Sequence, residues 1–105
     1  MSVTANKKAE FALRLAEAGY DDFLILDKKE AEDILTPKRQ ELLELIDDEK
    51  PESITELAQL AERDVSIVHR DLDLLFKYSL LEYDEEDGKK RPKLKHSHVF
   101  VEPIF

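Results

Sequence analysis

Five bases stand within seven positions near the end of the chain: Lys89, Lys90, Arg91, Lys93 and Lys95. They follow five acids in six positions: Glu82, Asp84, Glu85, Glu86 and Asp87. Upstream, Ser66, His69, Arg70, Asp73 and Lys77 recur at helical spacing, so they share one helix face. Lys38 and Arg39 form a further basic step. Such cations bind phosphates, and a guanidinium can bond a guanine edge in bidentate fashion. A structural reading stands beside this one. Arg70 can pair with Asp73 or Asp71, and the bases 89–95 can balance the acids 82–87 across a hairpin.

Other chemistries find less material. His96 and His98 sit two apart, on one face of a strand, with Glu102 nearby. No further ligand stands close in sequence, so no metal site is expected. The chain has no Cys, which removes disulfides, thiolate metal sites and Cys nucleophiles together. There is no Gly-rich phosphate cradle and no nucleophile motif. Ser53 reads as a helix cap. Acid pairs abound, but among twenty-five acids they arise by chance. Neither catalysis nor a cofactor is expected.

The 105 residues suffice for one modest core. Charged residues make up 39% and the formal net charge is −9. A free-standing nucleic-acid binder is usually basic, so the global sign argues against one. The local segregation of charge at 82–95 softens that argument, because screening confines charge effects to about 8 Å at physiological salt. No apolar run is long enough to span a membrane. Met1 to Asn6 lack the basic-then-apolar pattern of an export signal. The expected location is the cytoplasm, with no membrane partner.

The elements that must position these groups are mostly helices. Ala5, Ala9, Ala12 and Ala16, with Phe11 and Leu15, predict a helix over Thr4 to Ala18, stopped by Gly19. Phe23-Leu24-Ile25-Leu26 is a strand or a packed loop. Asp27 and Glu30 have capping-box spacing before a short helix. Thr36-Pro37 starts the next helix, with Leu42, Leu43 and Ile46 as its stripe. Ser53 and Glu56 form a second capping box before a helix ending near Glu62. Asp64 caps a third helix, to about Ser79, whose apolar face is Val65, Val68, Leu72, Leu75 and Ser79. Leu80 to Tyr83 reads as a strand, Asp84 to Gly88 as a turn, and a returning strand starts near Lys89 with Pro92 at an edge. His98 to Val101 continues that strand or forms another.

Two helices, 53–62 and 64–79, joined by a short turn, have the helix-turn-helix pattern, and a charged hairpin follows. The fold class read from this order is α+β: a winged helix-turn-helix with an added N-terminal helix and C-terminal strand. Residues 1–35 form a packing or dimerisation segment and residues 36–105 the winged domain.

Thr55 to Leu75, with Glu56-Leu57-Ala58, Val68, Arg70, Leu72 and Leu75, resembles the reading unit of MarR- and ArsR-type winged-helix regulators. Over about residues 24–104 the chain is similar to a family of short prokaryotic winged-helix proteins described as DNA-binding regulators. The shared features are Leu35-Thr36-Pro37-Lys38-Arg39, Val68-His69-Arg70-Asp71 and the turn Glu86-Asp87-Gly88. The resemblance implies a transcriptional regulator that binds double-stranded DNA, with helix 64–79 in the major groove and a wing at about 82–96 on the backbone. It also implies, as an alternative, an antitoxin-like protein in a complex. Ser66, His69, Arg70 and Asp73 would then face bases or phosphates, and Lys38, Arg39, Lys89, Lys90, Arg91, Lys93 and Lys95 the backbone. Asp71 would pair with a base of the scaffold. A homodimer is expected, built on the N-terminal helix and the tail Val99 to Phe105. The rival is a protein-interaction module, supported by the net acidity and by Asp71 and Asp73 on the third helix.

Overall fold

A computed structural model describes the backbone of residues 3–102 and the side chains of residues 8–102. Ala5 of the predicted helix stripe and Pro103 to Phe105 of the tail lie outside these side chains. The elements are α1 (Val3–Glu17), β1 (Phe23–Asp27), α2 (Lys28–Ile34), α3 (Pro37–Glu49), α4 (Ile54–Ala61), α5 (Val65–Lys77), β2 (Leu81–Glu86), β3 (Lys89–Leu94) and β4 (His98–Glu102). The protein is a mixed α+β chain in two compact units, Met1–Asp33 with His96–Phe105, and Ile34–Lys95. The tail groups with the first unit because β4 pairs in parallel with β1, from Phe23↔His98 to Asp27↔Glu102. Such long-range pairing leaves no local mark in the sequence.

In the first unit, α1 ends at a left-handed Gly19 (φ 101°), and the Tyr20 N–H closes back on the Leu15 carbonyl. Phe23 to Asp27 is a strand, not a loop. The capping box before α2 is reciprocal. The Glu30 N–H donates to Asp27 Oδ1 (2.8 Å) and the Asp27 N–H to Glu30 Oε1 (3.1 Å). Phe100 meets the edges of Phe11, Tyr20 and Phe23. Asp22 ties down the start of β4. Its carboxylate accepts from His96 Nδ1 (2.9 Å), the Ser97 N–H (3.1 Å) and the Ser97 hydroxyl (2.9 Å).

In the second unit every helix start carries the cap expected from sequence. Thr36 Oγ1 accepts from the Arg39 N–H with Pro37 at the first helical position. Ser53 Oγ accepts from the Glu56 N–H (3.0 Å), and Asp64 Oδ1 from the Ser66 N–H (2.8 Å). The Ser53 box is only half closed, since Glu56 reaches the Glu52 N–H instead. Lys50 and Glu62 end α3 and α4 in the left-handed region. The core is Leu42, Ile46, Leu57, Val68, Leu72 and Leu75, with Leu80 and Leu81 from the hairpin.

Two expectations need correction here. The third helix stops at Lys77, and Ser79 takes a left-handed turn (φ 66°) so that the Leu80 N–H reaches the Leu75 carbonyl. Val65 is 46% exposed, so it is no part of the buried face. The hairpin also differs from expectation. β2 runs on to Glu86, and only Asp87 and Gly88 turn, both at positive φ (53° and 77°). Pro92 is buried and stands opposite Tyr83.

Candidate nucleic-acid interface

α5 buries Val68, Leu72 and Leu75 and exposes Ser66, His69, Arg70, Asp73 and Lys77, as the period of 3.6 requires. A shallow groove of about 430 Å³ runs along this face past Val65, Ser66, His69, Arg70 and Asp73. The four polar groups are not equally available. The Ser66 hydroxyl donates to Asp64 Oδ1 (2.5 Å). The serine hydroxyl and N–H bonds hold the Asp64 carboxyl below its ordinary range. His69 Nδ1 lies 3.4 Å from Asp73, one turn on. Arg70 makes no hydrogen bond or ion pair among the described residues, so its guanidinium keeps all its donors for a ligand.

The scaffold behind this face is an ion network that sequence reasoning reaches only in part. Asp71 accepts from Arg39 Nε (3.2 Å) and Arg63 Nη2 (2.7 Å), with all three side chains 20% exposed or less. Arg39 also donates to the Ile34 carbonyl. Arg39 thereby ties the start of α3 to α5. Its Nε and Nη1 are thus engaged within the fold. Asp71 pairs with scaffold bases as expected. Arg63 escapes sequence reasoning. Its only sequence mark is its place one residue after the left-handed Glu62, and nothing local predicts that it meets Asp71. Its Nη1 is buried without a hydrogen-bond partner among the described residues.

The hairpin registers acid against base: Glu82↔Lys93, Asp84↔Arg91, Glu85↔Lys90 and Glu86↔Lys89. Lys93 Nζ lies 3.2 Å from Asp84 and 3.3 Å from Glu82, and those bonds raise its pKa. Arg91 lies 3.7 Å from Glu86. These two cations face carboxylates of the hairpin itself. Lys89 and Lys95 make no ion pair among the described residues, and Lys90 sits over the Tyr83 ring at 5.8 Å. Tyr83 stacks on Phe76, and its hydroxyl is buried without a partner. Burial, then the nearby Asp73 charge, raises its pKa. Lys38 is exposed and unpaired among the described residues. Among the described residues of this unit, Arg70 and Lys77 on α5, Lys38 at the start of α3, Lys89 and Lys90 on β3 and Lys95 just beyond it make no ion pair.

His96 and His98 do not converge. His96 is taken by Asp22, while His98 packs on Tyr20 and Phe100. Among the described residues no cluster of three or more His, Asp or Glu side chains could hold a metal ion. None of the described helices is long and apolar enough to cross a membrane.

Residues 34–101 match the family HVO_A0114. The chain belongs to that family. The HVO_A0114 match takes in all of α3, α4, α5 and the hairpin, and reaches Val101 in β4. No curated protein and no solved structure matches the chain.

Proposed function

We propose that residues 34–95 form a winged helix-turn-helix and that the protein is a sequence-specific duplex-DNA-binding regulator of transcription, acting as a homodimer. The observation that carries this reading is an exposed, capped helix bearing an unpartnered arginine, in the same unit as a hairpin with unpaired lysines. A major groove about 12 Å wide admits one such helix. α5 would enter by its N-terminal half, where Arg70 is suited to bond guanine O6 and N7. Val65 and Ile67, both 46% exposed, flank Ser66. Aliphatic groups there suit the thymine C5-methyl, the apolar mark of the groove. Lys38, Lys89, Lys90 and Lys95 would neutralise phosphates. A two-fold dimer would set its recognition helices about 34 Å apart along the duplex.

The deciding experiment is binding to random-sequence and selected duplexes over a salt series. Lys89→Gln with Lys90→Gln should weaken binding to every sequence and flatten the log–log salt slope by about 0.9 for each phosphate no longer neutralised. Arg70→Ala should cost about 1–3 kcal/mol and relax preference at particular base pairs. An unchanged slope would return the lysines to a role inside the hairpin.

A second reading, a protein-interaction module, has its own support. Carboxylates engage Arg91 and Lys93, and Leu60, Val65, Ile67 and Phe76 are exposed apolar groups in the same unit. Failure to bind any duplex even at low salt would favour it.

A further inference from the structure

Parallel strands are ordinarily buried inside larger sheets, yet β1 and β4 form a sheet of two. Their register puts Phe23, Ile25 and Asp27 beside His98, Phe100 and Glu102 on one face. Leu24 and Leu26 lie beside Val99 and Val101 on the other. The first face carries the aromatic cluster around Phe100. On the second, Val99 and Val101 are 40% and 43% exposed. Among the described residues, nothing hydrogen-bonds the outer edge of β4. An open apolar edge of this kind is a template for another strand.

The residues of β4 specify which strand. His98-Val99-Phe100-Val101-Glu102 is apolar-symmetric about Phe100, with an imidazole at one end and a carboxylate at the other. Laid antiparallel on a second copy, with the two-fold axis at Phe100, Val99 meets Val101 twice and His98 meets Glu102 twice. In its own chain Glu102 stands in register with Asp27, another acid, and no cation reaches it among the described residues. β1 has no such symmetry, since the same operation would set Phe23 against Asp27. We infer that β4 pairs antiparallel with β4 of a second copy of this chain, giving a four-stranded sheet in the order β1, β4, β4, β1. This deepens the two-fold reading proposed above and rests on it, but not on DNA binding.

The absence of native Cys makes the test clean. Val99→Cys and Val101→Cys are prepared separately, then oxidised alone and as an equimolar mixture. Directly opposed residues of an antiparallel pair have Cα atoms about 4.5–5.5 Å apart, within disulfide range, while same-numbered residues here sit on the longer diagonal. The mixture should therefore yield about tenfold more covalent dimer than either variant alone. A second arm uses sedimentation. His98→Glu should weaken the dimer several-fold by facing two carboxylates, and adding Glu102→Lys should restore it. A dimer that crosslinks no better in the mixture overturns this inference and leaves the two-fold reading standing. A monomeric unmodified protein at micromolar concentration overturns both.

Discussion

The two units of this chain are held together by different means. Among the described residues, ten of the twelve buried apolar side chains belong to residues 34–95. The other unit contributes only Leu15 and Leu26. It relies instead on edge-to-face rings around Phe100 and on the Asp22 contacts with His96 and Ser97. An aliphatic core of this kind supplies most of the burial that stabilises a fold. A short parallel strand pair with exposed valines gains most from being covered. The contrast is one of packing: residues 34–95 bury most of the described apolar side chains, while the first unit leaves Val99 and Val101 exposed.

The largest effect that would test this contrast is a core truncation. Leu72 is fully buried, so Leu72→Ala should lower stability to urea by about 2–5 kcal/mol. Val99→Ala, at an exposed position, should change the stability of the isolated chain by less than about 0.5 kcal/mol. Equal losses at the two positions would erase the distinction.

Next comes the ion network. Asp71→Ala leaves Arg39 and Arg63 without their shared carboxylate in a site 20% exposed or less. The expected loss is about 3 kcal/mol, the lower end for a broken buried pair. Asp71→Asn should recover part of it. If the loss instead matches that of an exposed pair, α5 is held by apolar packing alone.

Caps should matter less. Ser53→Ala and Thr36→Ala remove one bond each from a helix N-terminus and should each cost about 1 kcal/mol. Chemical denaturation of single and double variants checks whether the two add, as distant sites do.

The smallest effect concerns acid. Hydrogen bonds from His96, and then from Ser97, hold the Asp22 carboxyl below its ordinary value of 3.8. A depressed carboxylate contributes stability that is fully present above the unfolded value and is lost as pH falls through the folded one. The protection of β4 amides against exchange, corrected for the intrinsic rate, should therefore fall below about pH 4. Asp22→Asn should abolish that pH step. A step that persists in the variant would show that another group controls β4.

How much of this is legible in the sequence follows from how local each feature is. Thr36-Pro37, Ser53, Asp64 and the Asp27–Glu30 box place four helix starts, because a cap is a contact across two or three residues. The α5 face follows from period alone. Within the candidate site, Arg70 stands where that pattern exposes it. What the sequence hides are contacts over distance. Arg39 reads as a free cation because Asp71, 32 residues on, cannot be seen from Thr36-Pro37. The register that neutralises Lys93 and Arg91 depends on where the two-residue turn falls, and a turn read a few residues too wide hides it.

The sequence by itself determined the order of helices and hairpin, the helix starts and the segregated charge of the hairpin, since each arises between near neighbours. Only the tertiary structure decided that β4 joins β1, that Asp71 absorbs two arginines, and which of the basic groups remain unpaired. Those outcomes depend on which distant groups meet when the apolar faces close, and a linear pattern carries no record of that meeting.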